Sequence, residues 1–230
     1  MKKQILLFLS IILTSFYTYS QAPRGFYLAA GYSQTSLKSS DFLSESKPGF
    51  FVGTNFNFGY HESYNYQVEL LYKNNTMGAK YVDNSFSQVR EADLKYATTE
   101  LGFYLNYYII KPDEGKFFFG PQAGIFASFG NKLSSNNEDQ NGQNYLPYLI
   151  KSGEFDNFAK INYGFGAGLT GGYNKFRFDI RYSMGLPNML AEFKTNSYDE
   201  NNIYTGPTLS GKTSSLTFGV SYMLLTSTNN

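Results

Sequence analysis

The sequence predicts an all-β protein: an eight-stranded antiparallel up-and-down transmembrane β-barrel. Three observations predict this fold: alternating hydrophobicity, alternating connection lengths and a lightly charged, aromatic composition. Apolar and polar side chains alternate with a period of two in eight segments, as in strands with two different faces. Each segment reaches the roughly 9–11 residues that a tilted strand needs to cross a bilayer. The segments are 25–36, 48–60, 64–77, 94–110, 117–130, 160–173, 176–187 and 213–225.

The clearest signal lies in residues 161–187, which predict a hairpin. Two alternating runs are separated only by Asn174 and Lys175, which is short enough for a tight turn. In the second run large apolar residues from Phe176 to Leu186 share one face. Arg177, Asp179, Arg181 and Ser183 share the other face. Arginines at this spacing predict a polar interior, which we interpret as the lumen of a small membrane barrel.

The connections between the predicted strands alternate in length. Outer-membrane barrels have short periplasmic turns and long external loops. With an even number of strands, both chain termini are then expected on the periplasmic side. The predicted long connections are 37–47, 78–93, 131–159 and 188–212, and the short ones are 61–63, 111–116 and 174–175.

The N-terminus predicts export. A basic start at Lys2 and Lys3, an apolar stretch over 5–16 and small residues before Gln21 are typical of a secretory signal peptide. We expect a signal peptide at 1–20 and an outer-membrane β-barrel domain at 21–230; an uncleaved anchor is the alternative. The apolar stretch is shorter than the roughly 20 residues of a membrane-spanning helix. The location expected is therefore the outer membrane.

Composition excludes several classes of protein. The chain has no cysteine, which rules out a disulfide framework and an N-terminal lipid anchor. After removal of 1–20 it carries 17 basic and 18 acidic side chains, a net charge of −1, so no nucleic-acid partner is expected. Charged residues make up 16%, and Phe and Tyr together 19%. The negative mean hydropathy argues against a helical membrane protein and fits a barrel, in which every second residue meets lipid.

A soluble, lipocalin-like barrel is the alternative orientation of the same strands, with the apolar face inside. The polar face is rich in Gly, Asn, Ser and Thr and poor in Lys and Glu, which is unusual for a solvated exterior. Tyrosines also cluster near the predicted strand ends, as in the aromatic girdles of membrane barrels. They are Tyr60, Tyr64, Tyr66, Tyr107 and Tyr173 on the short-turn side and Tyr32, Tyr72 and Tyr182 toward the long loops.

Eight strands enclose a space that side chains can fill, so an open pore is not expected. A two-residue turn places Arg177 opposite Gly172 and Arg181 opposite Gly168, and glycine leaves room for a guanidinium. Buried charges must be paired. We therefore predict a structural ionic network in the lumen, with a proton or ion path as the alternative. The predicted network is Glu69, Glu100, Arg177, Asp179 and Arg181, and the predicted lumen glycines are Gly164, Gly166, Gly168 and Gly172.

A glycine-spaced strand from Asn162, followed by a strand containing Arg181, Tyr182, Gly185 and Leu186, resembles the small outer-membrane β-barrel family of Bacteroidota. That family includes PorT-like proteins. The resemblance implies the barrel fold and an accessory role in protein secretion. The last strand is similar to the terminal signal read by the barrel-assembly machinery, which implies that machinery as a partner during insertion.

No catalytic motif is evident, so we expect no enzyme, no cofactor and no metal site. The lone histidine, His61, lies in a predicted short turn, and residues 137–142 resemble a calcium loop but lack its acidic end. We expect a non-enzymatic, closed barrel that acts as a surface scaffold or an accessory component of an envelope or secretion assembly. The alternatives are a lipid-modifying enzyme and a carrier of a small hydrophobic ligand. The expected partners are outer-membrane lipid, lipopolysaccharide and envelope proteins.

Overall fold

The computed structural model describes residues 24–61, 63–82, 88–111, 117–131, 133–135, 144–147, 149–195 and 206–226. Within these ranges eight strands are long and three are short. In chain order they are β1 Gly25–Lys38, β2 Ser44–His61, β3 Tyr64–Val82, β4 Val89–Tyr107, β5 Phe117–Gly130, β6 Ser134–Ser135, β7 Asn144–Tyr145, β8 Ile150–Lys151, β9 Ile161–Tyr173, β10 Phe176–Gly185 and β11 Lys212–Thr226. A 3-10 helix, Ser152–Asn157, lies between β8 and β9.

The eight long strands form a closed ring in which every neighbour is antiparallel and is also the next long strand along the chain. The first and last strands complete it, in a register that runs from Gly25 opposite Thr226 to Lys38 opposite Lys212. The predicted eight-stranded up-and-down barrel is therefore confirmed. Among the described residues, no helix is long and apolar enough to cross a membrane.

The two ends of the barrel differ. We call the end with connections 62–63, 108–116 and 174–175 the turn end, and the opposite end the loop end. The β9–β10 turn consists of Asn174 and Lys175, as predicted, since Tyr173 pairs directly with Phe176. Asn174 has a φ of 58°, a left-handed conformation that asparagine tolerates better than most residues. Both Gly25 and Thr226 lie at the turn end.

The outward face of the barrel is apolar over its middle. On β10, Phe176, Phe178 and Ile180 are about half exposed, and the intervening arginines are buried. The same pattern runs around the ring, so the apolar face meets the surroundings and the polar face fills the interior. Tyrosines border this band: Tyr107, Tyr173 and Tyr222 toward the turn end, and Tyr32, Tyr72 and Tyr182 toward the loop end. This arrangement matches the aromatic girdles of membrane barrels.

Three strands are much longer than a membrane requires. β2, β3 and β4 have 18, 19 and 19 residues, and they extend into segments that the sequence predicted as the long connections 37–47 and 78–93. The alternation continues there with its phase inverted. On β3 the buried face is polar up to Asn75 except for Leu71 and becomes apolar from Met77 onward, while Lys80 faces out. Strands that leave the bilayer need apolar residues inside and polar ones outside, so the inversion marks the membrane boundary.

Candidate functional site in the barrel interior

The middle of the interior is organised around Arg181, on β10. Its guanidinium donates hydrogen bonds to both carboxylate oxygens of Glu69, at 2.5 and 3.2 Å, and to Oε1 of Gln122 at 2.9 Å. The guanidinium carbon also lies 3.6 Å from the ring centroid of Tyr104. Gln67 donates a further hydrogen bond to Glu69. A bidentate pair of this kind is among the strongest polar contacts in proteins, and here it joins β3 to β10 across the barrel.

Toward the turn end, Arg177 forms a second group and has no exposed surface. Its Nε donates to both oxygens of Asp179, at 3.0 and 3.2 Å. Its Nη1 and Nη2 donate to the side-chain oxygens of Asn57 and Asn106, at 2.8 and 3.0 Å. Gln122 donates to Asp179 as well as accepting from Arg181, so it links the two groups. Arg177 therefore crosses the lumen and contacts β2 and β4.

Below Arg177 the turn end is closed by rings. Tyr108 and Phe118 are buried and pack edge to face, with centroids 5.4 Å apart. Tyr27 is buried at the same level, close enough to Arg177 for the two to interact electrostatically. The interior is thus filled by side chains down to the short turns.

Toward the loop end, Lys73 and Glu100 form a third buried pair, with 2.6 Å between Nζ and Oε1. Thr35 donates to Asn75 at 2.9 Å beside them. A cavity of about 30 Å³ lies at this level, lined by polar residues such as Lys73 and Asn75 and by apolar ones such as Phe126 and Met189. Its volume suits about two water molecules, since each needs roughly 10–15 Å³.

A packed apolar cluster covers this cavity at the loop end, and we call it the loop-end core. It combines the inverted faces of β3 and β4 with Leu37 of β1, with Phe42 and with residues from the connections 131–160 and 186–211. Burial raises the pKa of Tyr96 and Tyr145 within it, so both phenols stay neutral. Its members are Leu37, Phe42, Met77, Ala79, Tyr81, Ala92, Leu94, Tyr96, Leu133, Tyr145, Ile150, Phe155, Phe158, Met189, Leu190, Phe193 and Leu209.

The predicted lumen glycines lie on the inward face of β9, three of them buried and Gly168 half-buried. Gly168 is opposite Arg181 and Gly172 is opposite Arg177. A Cβ atom on Gly168 would overlap the backbone oxygen of Ile180, and one on Gly166 would meet the Arg181 side chain at 3.1 Å. The absent side chains are what let β9 and β10 approach and leave space for the guanidinium groups.

The structure brings together most of the predicted network, with one difference. Arg181 pairs with Glu69, and Arg177 pairs with Asp179. Glu100 pairs with Lys73 instead of an arginine, because Glu69 lies opposite Gly102 and Glu100 lies further toward the loop end. Sequence reasoning missed Lys73 as a network member, although its place on the polar face of β3, four residues after Glu69, is a usable signal.

The remaining candidate residues from the sequence are His61, the calcium-loop-like segment and the N-terminal segment. His61 ends β2 at the turn end, accepts a hydrogen bond from the Ser63 N–H at 3.1 Å and stacks on Tyr64. Residues 137–142, which resemble a calcium loop, and the predicted signal peptide, 1–20, lie outside the described residues. Within the described ranges, no group of three or more acidic or histidine side chains could hold a metal ion.

Comparison with known families agrees with this architecture. The profile of a family described as "Outer membrane protein beta-barrel domain" matches residues 20–191. The chain belongs to this family. The outer membrane protein beta-barrel domain family places the chain in the outer membrane, which agrees with the apolar outward band. No match is found among curated proteins.

Solved structures with a similar fold include proteins with different activities. Ail, the attachment invasion locus protein of Yersinia pestis, is 12% identical, with a TM-score of 0.43, covering 86% of this chain and 98% of Ail. OprG from Pseudomonas aeruginosa is 12% identical, with a TM-score of 0.44 and coverage of 87% and 96%. The outer membrane protease OmpT from Escherichia coli is 12% identical, with a TM-score of 0.39 and coverage of 91% and 100%. These TM-scores are too low to bear on function.

Proposed function

We propose that the protein is a closed, non-enzymatic outer-membrane barrel that acts as a surface scaffold or an accessory component of an envelope assembly. The observation that carries this proposal is the filling of the barrel along its length. Two arginine groups occupy the middle and the turn end, and the loop-end core covers the remaining cavity. Solutes cannot pass through a barrel that is filled by side chains. Loops that are packed together form a rigid surface to which a partner protein can bind.

In this proposal a signal peptide at 1–20 directs export, both termini face the periplasm and the loop end faces outward. The position of Gly25 and Thr226 at the turn end supports this orientation, since short turns face the periplasm in such barrels. Insertion then uses the barrel-assembly machinery, and lipopolysaccharide surrounds the loop end. The resemblance to PorT-like proteins of Bacteroidota supports an accessory role in secretion.

Conductance tests the closed interior. The full mature chain, reconstituted in a planar bilayer, is expected to show no steady conductance, because Arg177 and Arg181 cross the lumen in paired contacts. The variant Phe158→Ala serves as the comparison, since it loosens the loop-end core and leaves both arginine groups intact; it too is expected to stay closed. Large, steady single-channel steps in the unmodified protein contradict the proposal.

Photo-crosslinking in cells tests the scaffold role. A photoreactive amino acid in place of Val89, which is 61% exposed at the loop end, is expected to give discrete adducts with one or a few envelope proteins. The same amino acid in place of Lys175, exposed in the β9–β10 turn, is the matched control at the opposite end. Adducts that are absent at Val89, or identical at both positions, contradict a partner surface at the loop end.

A further inference from the structure

Two lysines face each other on the outer wall at the loop end. Lys38 ends β1 and Lys212 begins β11, and they are direct partners in the antiparallel ladder. Both side chains are exposed. Directly opposed side chains in such a ladder have Cβ atoms about 4.5–5.5 Å apart, and like charges there are destabilising. The β1–β11 pair closes the barrel. An anion bound between the two lysines would remove the repulsion at the loop end of this pair.

The lysine pair sits in a defined polar environment. Lys38 donates a hydrogen bond from Nζ to Oη of Tyr182 at 2.8 Å, and its Nζ lies 5.5 Å from the Tyr182 ring centroid. Beside it, the hydroxyls of Ser36 and Ser214 are 2.8 Å apart. An ammonium group has three donors, so Lys38 keeps two for a ligand. The Tyr182 contact holds the ammonium against the wall of the barrel.

Among the described residues, the positive charges of Lys38 and Lys212 are not neutralised by a carboxylate of the protein. In the described part of the chain, neither Lys38 nor Lys212 forms an ion pair. The nearest acid along the chain, Asp41, accepts hydrogen bonds from the Ser40 hydroxyl at 2.9 Å and from the Ser210 N–H at 2.9 Å. The Asp41 carboxylate therefore holds the adjoining loops together and is not paired with either lysine.

The depth of the pair matches lipid headgroups. On β11 the outward apolar row runs from Leu224 to Leu216, and Lys212 follows two rows beyond Leu216. Eight residues of strand span about 27 Å, or about 20 Å along the membrane normal at a tilt of about 40°. That length approaches the roughly 25 Å apolar band of outer-membrane barrels. The lysines lie just outside this band, at the level where lipid phosphates are found.

We propose that Lys38, Lys212 and Tyr182 form a binding site for a phosphate-bearing lipid headgroup in the leaflet at the loop end. The two ammonium groups neutralise the phosphate, and the acyl chains lie along the apolar row below. The site depends on the membrane location of the barrel and is independent of the scaffold role.

Native mass spectrometry of the full mature chain in zwitterionic micelles tests this site. Phosphatidic acid is the probe, phosphatidylcholine the neutral lipid and inorganic phosphate the free anion. Each lysine near a charged headgroup contributes about fivefold in affinity. The double variant Lys38→Gln, Lys212→Gln is therefore expected to bind phosphatidic acid about 25-fold more weakly, and Tyr182→Phe a few-fold more weakly with both lysines present.

A matched double variant, Lys151→Gln with Lys175→Gln, removes two exposed lysines elsewhere and is expected to bind like the unmodified protein. Three results overturn the proposal. They are equal binding of phosphatidic acid to the Lys38 and Lys212 variant, an equal loss in the matched variant, and inorganic phosphate competing at concentrations comparable to those of the lipid. Selective loss with no competition by inorganic phosphate supports a lipid headgroup as the ligand.

Discussion

Replacing Arg181 by leucine is expected to lower the free energy of unfolding by about 3–5 kcal/mol. Removal of one partner of a buried ion pair leaves the other charge without compensation, and that cost is typically of this size. Here the group left without its charged partner is the Glu69 carboxylate, which is buried and, among the described residues, keeps a hydrogen bond from Gln67. Urea unfolding of residues 21–230 in phospholipid vesicles, followed by far-UV circular dichroism, measures the loss.

Two further variants test whether the unpaired Glu69 charge causes the loss of stability. The double variant Glu69→Gln with Arg181→Leu removes both charges, so it is expected to recover much of the lost stability. Lys47→Gln removes two partly exposed ion pairs, with Glu91 and Asp93, and a change below about 1 kcal/mol is expected. If the single and double Arg181 variants are equally unstable, the buried charge is not the cause.

Replacing Phe158 by alanine is expected to open the loop end without unfolding the barrel. Phe158 is buried in the loop-end core, with ring centroids 5.5 Å from Tyr96 and 6.2 Å from Phe193. Truncating a buried phenylalanine costs about 3–5 kcal/mol. Because about 1.4 kcal/mol is a factor of ten in an equilibrium, local opening becomes at least about 100-fold more frequent. Trypsin is therefore expected to cleave after Lys151 correspondingly faster in the folded, micelle-bound protein.

Fragment masses identify cleavage at Lys151, and heat-dependent migration in gel electrophoresis reports whether the barrel stays folded. Val89→Ala is the matched control, because it removes an apolar side chain at the loop end that is exposed and lies outside the core. Its cleavage rate is expected to match that of the unmodified chain. Resistance of Phe158→Ala to trypsin argues that the loops are held by contacts other than the loop-end core.

The barrel was predictable because its alternation is strong and its shortest turn fixes a register. Once Asn174 and Lys175 form a two-residue turn, the positions opposite Arg177 and Arg181 follow by counting, and both are glycines. The pairing of Glu100 with Lys73 was not predictable in this way. It depends on the stagger between β3 and β4 across a connection whose length the alternation does not determine.

The loop-end core escaped prediction for a different reason. The sequence predicts 78–93 as a long connection, and charged side chains such as Lys80 and Glu91 lie on the outer surface of this segment. Its described inward side chains are apolar, as in Ala79 and Ala92, so the strand period continues with inverted phase. The remaining members of the core lie far apart in the sequence, as Phe42 and Phe193 do, and only the closed ring brings their loops together.

The pairing of β1 with β11 also sets the order in which this protein can be made. β1 can pair with its second neighbour, β11, only after residues 212–226 have been synthesised. Lys212, the first of them, follows Gly25 by almost 190 residues. Until then β1 and β10 each have an open edge with unpaired backbone groups, which lipid does not tolerate. Assembly must therefore follow completion of the chain, and a copy truncated before β11 has no stable half-built form. Because β1 must pair with β11, the barrel forms either completely or not at all.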